Sequence, residues 1–446
     1  MSSTGSRTLF KGGIVITMDR ALGDLARGDV LVDGARIVAV GPNLQPQVGD
    51  AQIIDCANMI VMPGFVDSHR HMWEGLLRNL IPDGMLPEYL RVVVGEHGAA
   101  YRAEDAYISD LLSAWSALDA GVTTVLDWSH IQNTPDHADA IVLALQETGI
   151  RAVFAYGFPA LGGKPWWTDE TAHRFPVDIR RLRARYFSSD DQLLTLGLAA
   201  SGGFGNTAIA AREWAAARDV GARITIHAGG AGQVQDFAKA FKLGPDTTYV
   251  HCAEWDELDW KMVADSGGTV SLSPGTELFM SMAIPPIQQA LDVGIQPSLS
   301  VDAETNVPND MFTQMRLALA SQHSMLMVRA AANEENLPPR LTAREALALA
   351  TIEGARANGL DSRTGSLTPG KQADVILLRC DKINVMPIND PIGAVVYGMD
   401  TSNVDSVYVD GRARKRSGQL VGVNLTRIAE RVVSSRAYLA SKVLRA

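Results

Sequence analysis

Eight short apolar runs, separated by segments of helical character, constrain the fold of this chain more than any other feature. The runs are at residues 61–66, 121–126, 152–156, 193–198, 223–226, 247–250, 269–273 and 296–301. Because they are continuously apolar and do not alternate with polar residues, we expect strands that are covered on both faces, as in parallel sheets. Eight strand–helix units predict an α/β protein with a (β/α)8 barrel of the TIM type. An open, doubly wound sheet is the alternative that the pattern leaves open.

The two ends of the chain have a different texture, with short alternating strands and tight turns. Residues 29–40 alternate around the turn Asp33-Gly34, and residues 374–378 and 404–409 return to strand character. We therefore expect a small β-sandwich domain built from both ends, with the barrel between them. The expected division is residues 1–60 (β-sandwich, first part), 61–364 (barrel), 365–415 (β-sandwich, second part) and 416–446 (C-terminal helix).

The charge balance narrows the range of partners. The chain has 50 acidic and 40 basic residues, which gives a formal net charge of −10. Such a chain binds nucleic acid and anionic membranes poorly, and no apolar window reaches the roughly 18 residues of a membrane-spanning helix. Its three cysteines, Cys56, Cys252 and Cys380, are far apart in sequence, which argues against a disulfide framework. We expect a cytoplasmic protein that binds a small molecule.

Four of the nine histidines, and one aspartate, lie where an apolar run gives way to its loop. His69 and His71 follow the first run, His227 the fifth, His251 the sixth and Asp302 the eighth. In a parallel barrel these ends converge at one mouth, and histidines two residues apart on an extended segment face the same side. One such histidine alone is more often a hydrogen-bonded, half-buried side chain, but chance explains the joint placement poorly. Imidazoles with a carboxylate suit zinc or another divalent ion.

At these residues the chain resembles the amidohydrolase superfamily. The matching stretches are residues 63–71 (PGFVDSHRH), His227, His251, residues 302–306 (DAETN) and residues 365–375 (GSLTPGKQADV). Within the superfamily the chain is most similar to the mononuclear deaminase and s-triazine hydrolase branch, notably at residues 69–80 (HRHMWEGLLRNL). The resemblance implies the same fold, a barrel with a small β-sandwich, and it covers nearly the whole chain.

The resemblance also implies roles for the five residues at the barrel mouth. His69, His71, His227 and Asp302 would bind the metal, and Asp302 would also accept a proton from the attacking water. His251 would hydrogen-bond that water or the substrate group under attack. Binuclear relatives carry a lysine late in the fourth barrel strand, whereas the fourth run here (LLTLGLAASG) has none. We therefore expect one divalent ion, zinc first, with iron, manganese or cobalt as alternatives.

The chain departs from the branch at one position. Deaminases of that branch usually carry a glutamate three residues after the histidine of the fifth barrel strand. This chain has Gly230 at that place. That glutamate protonates the leaving group, a step worth roughly 10²–10⁴-fold in rate. Two glutamates are candidates to replace it: Glu277, at the end of the seventh run, which we prefer, and Glu254, three residues after His251.

Further polar and aromatic residues follow the predicted strands and are candidates for substrate binding. They are Trp73, Glu74, Trp128, His130, Phe158, Gly202 and Glu254. The long segment 79–101 is a candidate lid, and Met280 and Met282 either line the pocket or belong to the core. An indole beside a pocket suits a flat or apolar substrate.

The predicted function is metal-dependent hydrolysis, with Asp302, His251 and Glu277 as the catalytic residues. Water activated by the metal cleaves a C–N bond, or a C–Cl, C–O or C–S bond, of a small nitrogen-containing ring, amide or carbamate-like substrate. A metal-dependent decarboxylase on the same barrel mouth is the first alternative, and it would favour an arginine for the substrate carboxylate. A catalytically inactive scaffold is the second. We expect a homodimer, by analogy with the relatives.

Overall fold

The computed structural model describes residues 7–44, 50–160, 166–168 and 171–443. In chain order the strands are β1 (Arg7–Val15), β2 (Leu25–Asp33), β3 (Arg36–Gly41), β4 (Gln52–Asp55), β5 (Met59–Pro63), β6 (Phe65–Arg70), β7 (Val122–Ser129), β8 (Arg151–Tyr156), β9 (Leu194–Ala200), β10 (Arg223–Gly229), β11 (Thr247–Ala253), β12 (Thr269–Leu272), β13 (Ser298–Leu299), β14 (Val375–Arg379), β15 (Val404–Val409), β16 (Arg412–Arg416) and β17 (Gln419–Leu420).

The α-helices of six or more residues are Ala103–Asp119, Pro135–Thr148, Ile179–Tyr186, Thr207–Asp219, Gln233–Ala240, Glu257–Ser266, Pro274–Phe279, Ile287–Asp292, Met311–Ala331, Ala343–Leu349, Ile352–Ala357 and Leu425–Val443. Short α-helical turns lie at Leu86–Glu88, Gly98–Ala100 and Pro391–Gly393, and π-helical segments at Tyr89–His97 and Ala394–Gly398. Single 3-10 turns lie at Met72–Leu77, Trp166–Thr168, Gly202–Gly205 and Thr401–Asn403. Within the described residues, no helix is long and apolar enough to cross a membrane.

One mixed sheet is built from both ends of the chain. Its strand order is β17-β16-β15-β14-β5-β1-β2-β3, with β4 also paired to β1. The late strand β14 runs antiparallel to the early strand β5, from Val375 opposite Pro63 to Arg379 opposite Met59. The ring of Phe10 packs edge-on against that of Tyr408 in the core of this sheet, with the centroids 4.9 Å apart. The prediction of a β domain assembled from both chain ends is confirmed.

The second sheet is the barrel. Its eight strands follow one another in the order of the chain, from β6 to β13. Between β6 and the residues after β13, the Asp302 amide donates to the His69 carbonyl at 2.9 Å, and the His71 amide donates to the Asp302 carbonyl at 3.0 Å. These hydrogen bonds accompany a parallel β-bridge between Arg70 and Asp302 and connect the first barrel strand to the segment after the last one. The (β/α)8 barrel is confirmed, and the open doubly wound sheet was the wrong alternative.

The first predicted run proves to be parts of two strands. Met59–Pro63 belongs to the end sheet and Phe65–Arg70 to the barrel, so the barrel strand starts later than expected and contains His69. Gly64 lies between them, and a Cβ there would be 2.1 Å from Thr123 Oγ1. An unbroken apolar run does not reveal that the chain changes sheets, because both sheets bury it.

By the density of its contacts the chain divides into two compact units. The first contains the chain up to Asp67 together with residues 117–124 and 310–423, and the second contains residues 68–116, 125–309 and the C-terminal segment from Asn424. All five candidate residues at the barrel mouth belong to the second unit. The four-part division expected from the sequence stays a prediction.

Candidate metal centre and active site

Four of the predicted residues converge at the carboxyl ends of the barrel strands. The ligand atoms of His69, His71, His227 and Asp302 all lie within 4.8 Å of one another. The Nε2 atoms of His69 and His71 lie 2.9 and 3.1 Å from Asp302 Oδ1. The Nε2 atom of His227 lies 3.1 Å from that of His69. Three separate strand ends therefore supply one compact cluster.

The cluster has the geometry of a divalent metal site. Tetrahedral zinc with bonds of 2.0–2.1 Å places two ligand nitrogens about 3.3 Å apart, close to the separation between His69 and His227. His71 Nδ1 lies 2.9 Å from the carbonyl oxygen of Trp128, which can only accept a hydrogen bond. The proton of His71 is therefore on Nδ1, and the lone pair of Nε2 faces the cluster, as in many metal-binding histidines.

The charge states of His69, His227 and Asp302 also suit a cation. Burial lowers the pKa of His69 to about 4 and that of His227 well below its usual value, so both imidazoles are neutral at pH 7. Burial raises the pKa of Asp302, but His69 and His251 outweigh that effect and hold the pKa well below its usual value. For His71, burial lowers the pKa, but the bond to Asp302 outweighs it and the net pKa is raised.

Behind the cluster, His251 lies between two carboxylates. Its Nδ1 donates to Glu277 Oε1 at 3.1 Å, and its Nε2 lies 3.5 Å from Asp302 Oδ2. Glu277 is fully buried, and its Oε1 also accepts the Ser273 amide at 2.9 Å. Burial raises the pKa of Glu277 although His251 opposes it. Burial lowers the pKa of His251, but Asp302 and Glu277 raise it on balance. The pair is therefore suited to holding a proton beside the metal ligands.

The backbone around these residues is in a rarely populated conformation. His251, Cys252, Glu254 and Asp302 have φ angles of 70°, 54°, 60° and 69°. Such angles are uncommon for residues other than glycine, and they concentrate at functional sites, where the surrounding structure holds them in place. The sequence gives no signal for them, since none of the four is a glycine.

A cavity of about 530 Å³ lies over the cluster, within the range of small-molecule sites. His71, His227, His251 and Asp302 form its floor. Its walls are largely apolar and are formed by Leu86, Leu90, Val94, Phe158, Phe204, Met280 and Met282. Its other polar side chains are Tyr89, His130, Gln233, Glu254 and Thr276. No lysine or arginine is among the described residues that line it.

Comparison with known proteins agrees with this geometry. Residues 60–414 match the Amidohydrolase family. The chain belongs to the amidohydrolase family. It is 28% identical to a 5-methylthioadenosine/S-adenosylhomocysteine deaminase of Symbiobacterium thermophilum over 91% of this chain and 93% of the relative. The amidohydrolase is therefore an enzyme, a hydrolase that is similar to deaminases of its family, and the predicted resemblance to the amidohydrolases is confirmed.

Solved structures share the fold of this amidohydrolase. An adenosine deaminase from Xanthomonas campestris with bound zinc superposes with a TM-score of 0.83 at 21% identity, covering 99% of this chain and 100% of that one. The atrazine chlorohydrolase of Arthrobacter aurescens in complex with zinc gives a TM-score of 0.82 at 22% identity, covering 96% and 100%. The comparisons give no support to a decarboxylase, and no arginine for a carboxylate is among the described residues that line the cavity.

Of the predicted substrate-binding residues of the amidohydrolase, His130, Phe158 and Glu254 line the cavity. The other four lie behind its walls. The Trp128 ring packs on His227 with the centroids 3.9 Å apart, and Trp73 donates to His130. Glu74 accepts from the Tyr89 hydroxyl at 2.5 Å, and the Gly202 amide donates to Glu213 at 3.0 Å. These four residues thus contact other side chains or loops and are not among the described residues that line the cavity, and their role in substrate binding stays a prediction.

Sequence reasoning missed a buried ion cluster beside the metal site. Arg70 Nε and Arg78 Nε lie 2.7 and 2.6 Å from the two carboxylate oxygens of Glu304. Burial raises the pKa of Glu304, but the two guanidinium groups outweigh it and lower the pKa to about 2. Arg70 lies between two ligands and Glu304 follows a third at two residues' distance, so the cluster joins the two ligand segments. One sequence signal could have revealed this cluster: the charged residue Arg70 lies between the two ligand histidines.

Tyr89, Gln233 and Thr276 are further cavity residues that the sequence did not single out. Tyr89 begins the π-helical segment Tyr89–His97, inside the candidate lid. Gln233 begins the helix after β10, and Thr276 lies in the helix after β12. Each follows a strand end by several residues, and only the path of the loop decides whether such a residue faces the cavity.

Proposed function

We propose that this amidohydrolase is a mononuclear zinc enzyme that hydrolyses an exocyclic substituent of a small, neutral, nitrogen-containing ring. One observation carries the proposal: three of the four ligand residues, His71, His227 and Asp302, line a cavity whose described walls are largely apolar and have no lysine or arginine. A neutral flat ring fits such a cavity, whereas an anionic substrate would find no lysine or arginine among its described lining residues. Similarity to a deaminase of adenosine derivatives supports the ring class.

Three imidazoles and one carboxylate from His69, His71, His227 and Asp302 would hold the ion, and zinc is the metal that favours this donor set. A divalent ion held there would lower the pKa of a water ligand toward about 7 and so would supply a nucleophile at neutral pH. The zinc in two structures of the same fold supports the choice of metal.

Asp302 and His251 would manage the proton of the attacking water. Asp302 is a carboxylate at neutral pH, and its Oδ2 lies 3.5 Å from His251 Nε2. Asp302 accepts the proton, and His251 donates a hydrogen bond to the atom on which negative charge develops. Glu277 holds the opposite nitrogen of His251, so it orients the ring and maintains its proton.

The leaving group needs a separate account because Gly230 replaces the usual acid. A Cβ at Gly230 would meet nothing within 4 Å, so the space of the missing side chain is open. Glu277 is absent from the described cavity lining and reaches a substrate only through His251. We propose the His251–Glu277 pair as the source of the proton. The exposed Glu254, at the cavity wall, is the alternative.

A second candidate is dechlorination, and the open space at Gly230 favours it. Chloride leaves as an anion and needs no proton from the protein, whereas an amine must be protonated as it leaves. The amidohydrolase would then hydrolyse a chloro-substituted azine on the same metal site. Ammonia and chloride are distinct products, so one assay separates the two candidates.

The test combines elemental analysis with a substrate panel. We expect about one zinc per chain, and release of ammonia or chloride from amino- or chloro-substituted azines or purines. His227→Ala should lose the metal and the activity, whereas His173→Ala, which changes an exposed histidine, should keep both. A fully metal-loaded protein that is inert on the whole panel, or that releases carbon dioxide, would contradict the proposal.

Three further properties complete the proposal. We propose a homodimer, which light scattering on the purified protein tests directly. We also propose a cytoplasmic location, because Cys56, Cys252 and Cys380 are all free and buried, as suits a reducing compartment. The predicted domain limits at residues 60, 364 and 415 are proposals that limited proteolysis can test.

A further inference from the structure

His130 lines the cavity, and one of its ring nitrogens is held from behind. The indole Nε1 of Trp73 lies 3.2 Å from His130 Nδ1. An indole N–H can only donate, so Nδ1 must accept. A neutral imidazole that accepts at Nδ1 carries its proton on Nε2. The two ring nitrogens point in nearly opposite directions, so the Nε2–H group points away from Trp73.

Trp73 is itself fixed, which makes the direction of its N–H group a property of the fold. The side chain is fully buried, and its ring packs edge-on against that of Tyr101 with the centroids 5.4 Å apart. The Trp73 carbonyl accepts hydrogen bonds from the hydroxyls of Tyr101 and Ser109, at 2.9 and 2.5 Å. Trp73 is not among the described residues lining the cavity, so a substrate does not compete for its N–H.

The surroundings of His130 keep its ring in place and neutral. The ring lies edge-on to that of Phe158, with the centroids 5.7 Å apart, and beside that of His71, at 4.4 Å. The carbonyl of Trp128, which accepts from His71 Nδ1 at 2.9 Å, is also a hydrogen-bonding neighbour of His130. With Nδ1 accepting from the Trp73 indole, the ring is the neutral form.

We propose that His130 determines specificity by donating a hydrogen bond from Nε2 to an acceptor atom of the substrate, and that Trp73 is the positioning residue that selects this tautomer. The inference rests on the proposed function, and it narrows the substrate class. The ring must carry an unprotonated nitrogen or a carbonyl oxygen near the scissile carbon. A buried donor left without a partner is costly, so an analogue with C–H in place of that nitrogen should be about tenfold to a hundredfold poorer in kcat/KM.

The tautomer can be measured without any turnover. Zinc-loaded protein with ¹⁵N-labelled histidine gives two-bond ¹H–¹⁵N correlations that report which ring nitrogen carries the proton, and His130→Gln assigns the signal. We expect a bare Nδ1 and a protonated Nε2. A proton on Nδ1, donated to the Trp128 carbonyl, would overturn the proposal. Since the readout is spectroscopic, it stands whether or not a substrate has been found.

The positioning role has a matched pair of variants. Trp73→Phe removes the N–H and keeps a ring, and Trp214→Phe removes another buried indole N–H, bonded at 3.2 Å to Thr247 away from the cavity. We expect Trp73→Phe to give mixed tautomers and a roughly tenfold higher KM for a substrate with the acceptor atom, but an unchanged KM for the C–H analogue. Trp214→Phe should change neither. Equal losses on both substrates, or an unchanged tautomer in Trp73→Phe, would refute the role of Trp73.

Discussion

At the scale of single residues, the site depends on conformations that the residue types alone do not favour. His251 and Asp302 both have positive φ angles, and both face the reacting region from that backbone. The strain places His251 Nδ1 on Glu277 and Nε2 beside Asp302. A relay of three side chains, with the histidine in the middle, results from two unusual backbone conformations.

Glu277→Gln tests this relay. The amide keeps the shape of the side chain but cannot hold His251 with a negative charge, so we expect kcat to fall by about 10²–10⁴-fold with little change in KM. Zinc content should stay the same, because Glu277 does not belong to the ligand cluster. The pH profile of kcat should shift, since Glu277 raises the pKa of His251.

Glu254→Gln is the matched comparison for that variant. Glu254 is exposed at the cavity wall. It protonates the leaving group only if the His251–Glu277 pair does not. We expect its kcat to remain within a few-fold of the parent enzyme. The reverse pattern, with Glu277→Gln active and Glu254→Gln inactive, would transfer the role to Glu254.

At the scale of elements, the ion cluster around Glu304 joins two loops that carry ligands. Arg70 and Glu304 are fully buried, so the charge of each depends on the other. The cluster holds the segment after β6 against the segment after β13, and these segments carry His71 and Asp302. It supports the metal site without touching the ion.

Glu304→Gln should therefore weaken both the fold and the site. Removal of the Glu304 carboxylate breaks its buried ion pair with Arg70, which costs about 3–5 kcal/mol in the free energy of unfolding. Metal affinity should fall about 10–100-fold, as for other residues that orient ligands. Urea unfolding and competition with a chelator measure the two effects.

The control for this variant is Glu334→Gln. Glu334 pairs with Arg329, with Oε2 2.7 Å from Nε, on the exposed surface. Solvent screens such pairs, so we expect no measurable change in unfolding or in metal affinity. An equal response of both glutamate variants would show that the buried cluster has no special role.

The junction between the two sheets, at Gly64, is a second structural feature at the scale of elements. A Cβ at Gly64 would lie 2.1 Å from Thr123 Oγ1 and 2.2 Å from its Cγ2. Gly64→Ala should destabilise the protein by about 1–3 kcal/mol, because the strands must separate to admit the methyl group. Gly41→Ala is the control, since the nearest atom to its Cβ would be 3.8 Å away. Thermal denaturation of the two variants should differ by several degrees.

At the scale of the whole molecule, the metal would link parts of the chain that are far apart in sequence. Its ligands come from β6 and the residue after it, from β10, and from the segment that follows β13. An ion that binds the folded chain but not the unfolded one stabilises it by about 2.7 kcal/mol at a hundred times its Kd. Chelation should therefore lower the melting temperature of the parent enzyme.

The ligand variant provides the control for that measurement. His227→Ala lacks one of the ligands, so its melting temperature should be the same with and without chelator. His173→Ala should respond as the parent enzyme does. Calorimetric scans of the three proteins, each with and without chelator, decide the point, and a parent enzyme that does not respond would argue against a metal in the cluster.

The sequence by itself predicted the barrel, the family and the residues that meet at the barrel mouth. Continuous apolar runs predict buried parallel strands, and the ends of such strands must meet at one mouth, so His69, His71, His227 and Asp302 could be brought together without coordinates. These inferences hold because strand periodicity and barrel closure depend on local composition and on chain order, both of which the sequence contains.

Only the tertiary structure decided which side chains face the cavity and which support others. Trp73, Glu74 and Trp128 lie close in sequence to the ligands but behind the cavity wall, whereas Tyr89 and Gln233 reach it from helical segments. Glu277 and Glu304 likewise find their partners across the barrel mouth, at His251 and Arg70. The direction of a side chain after a strand end depends on loop path, backbone strain and packing between distant segments, and none of these is encoded in a local pattern.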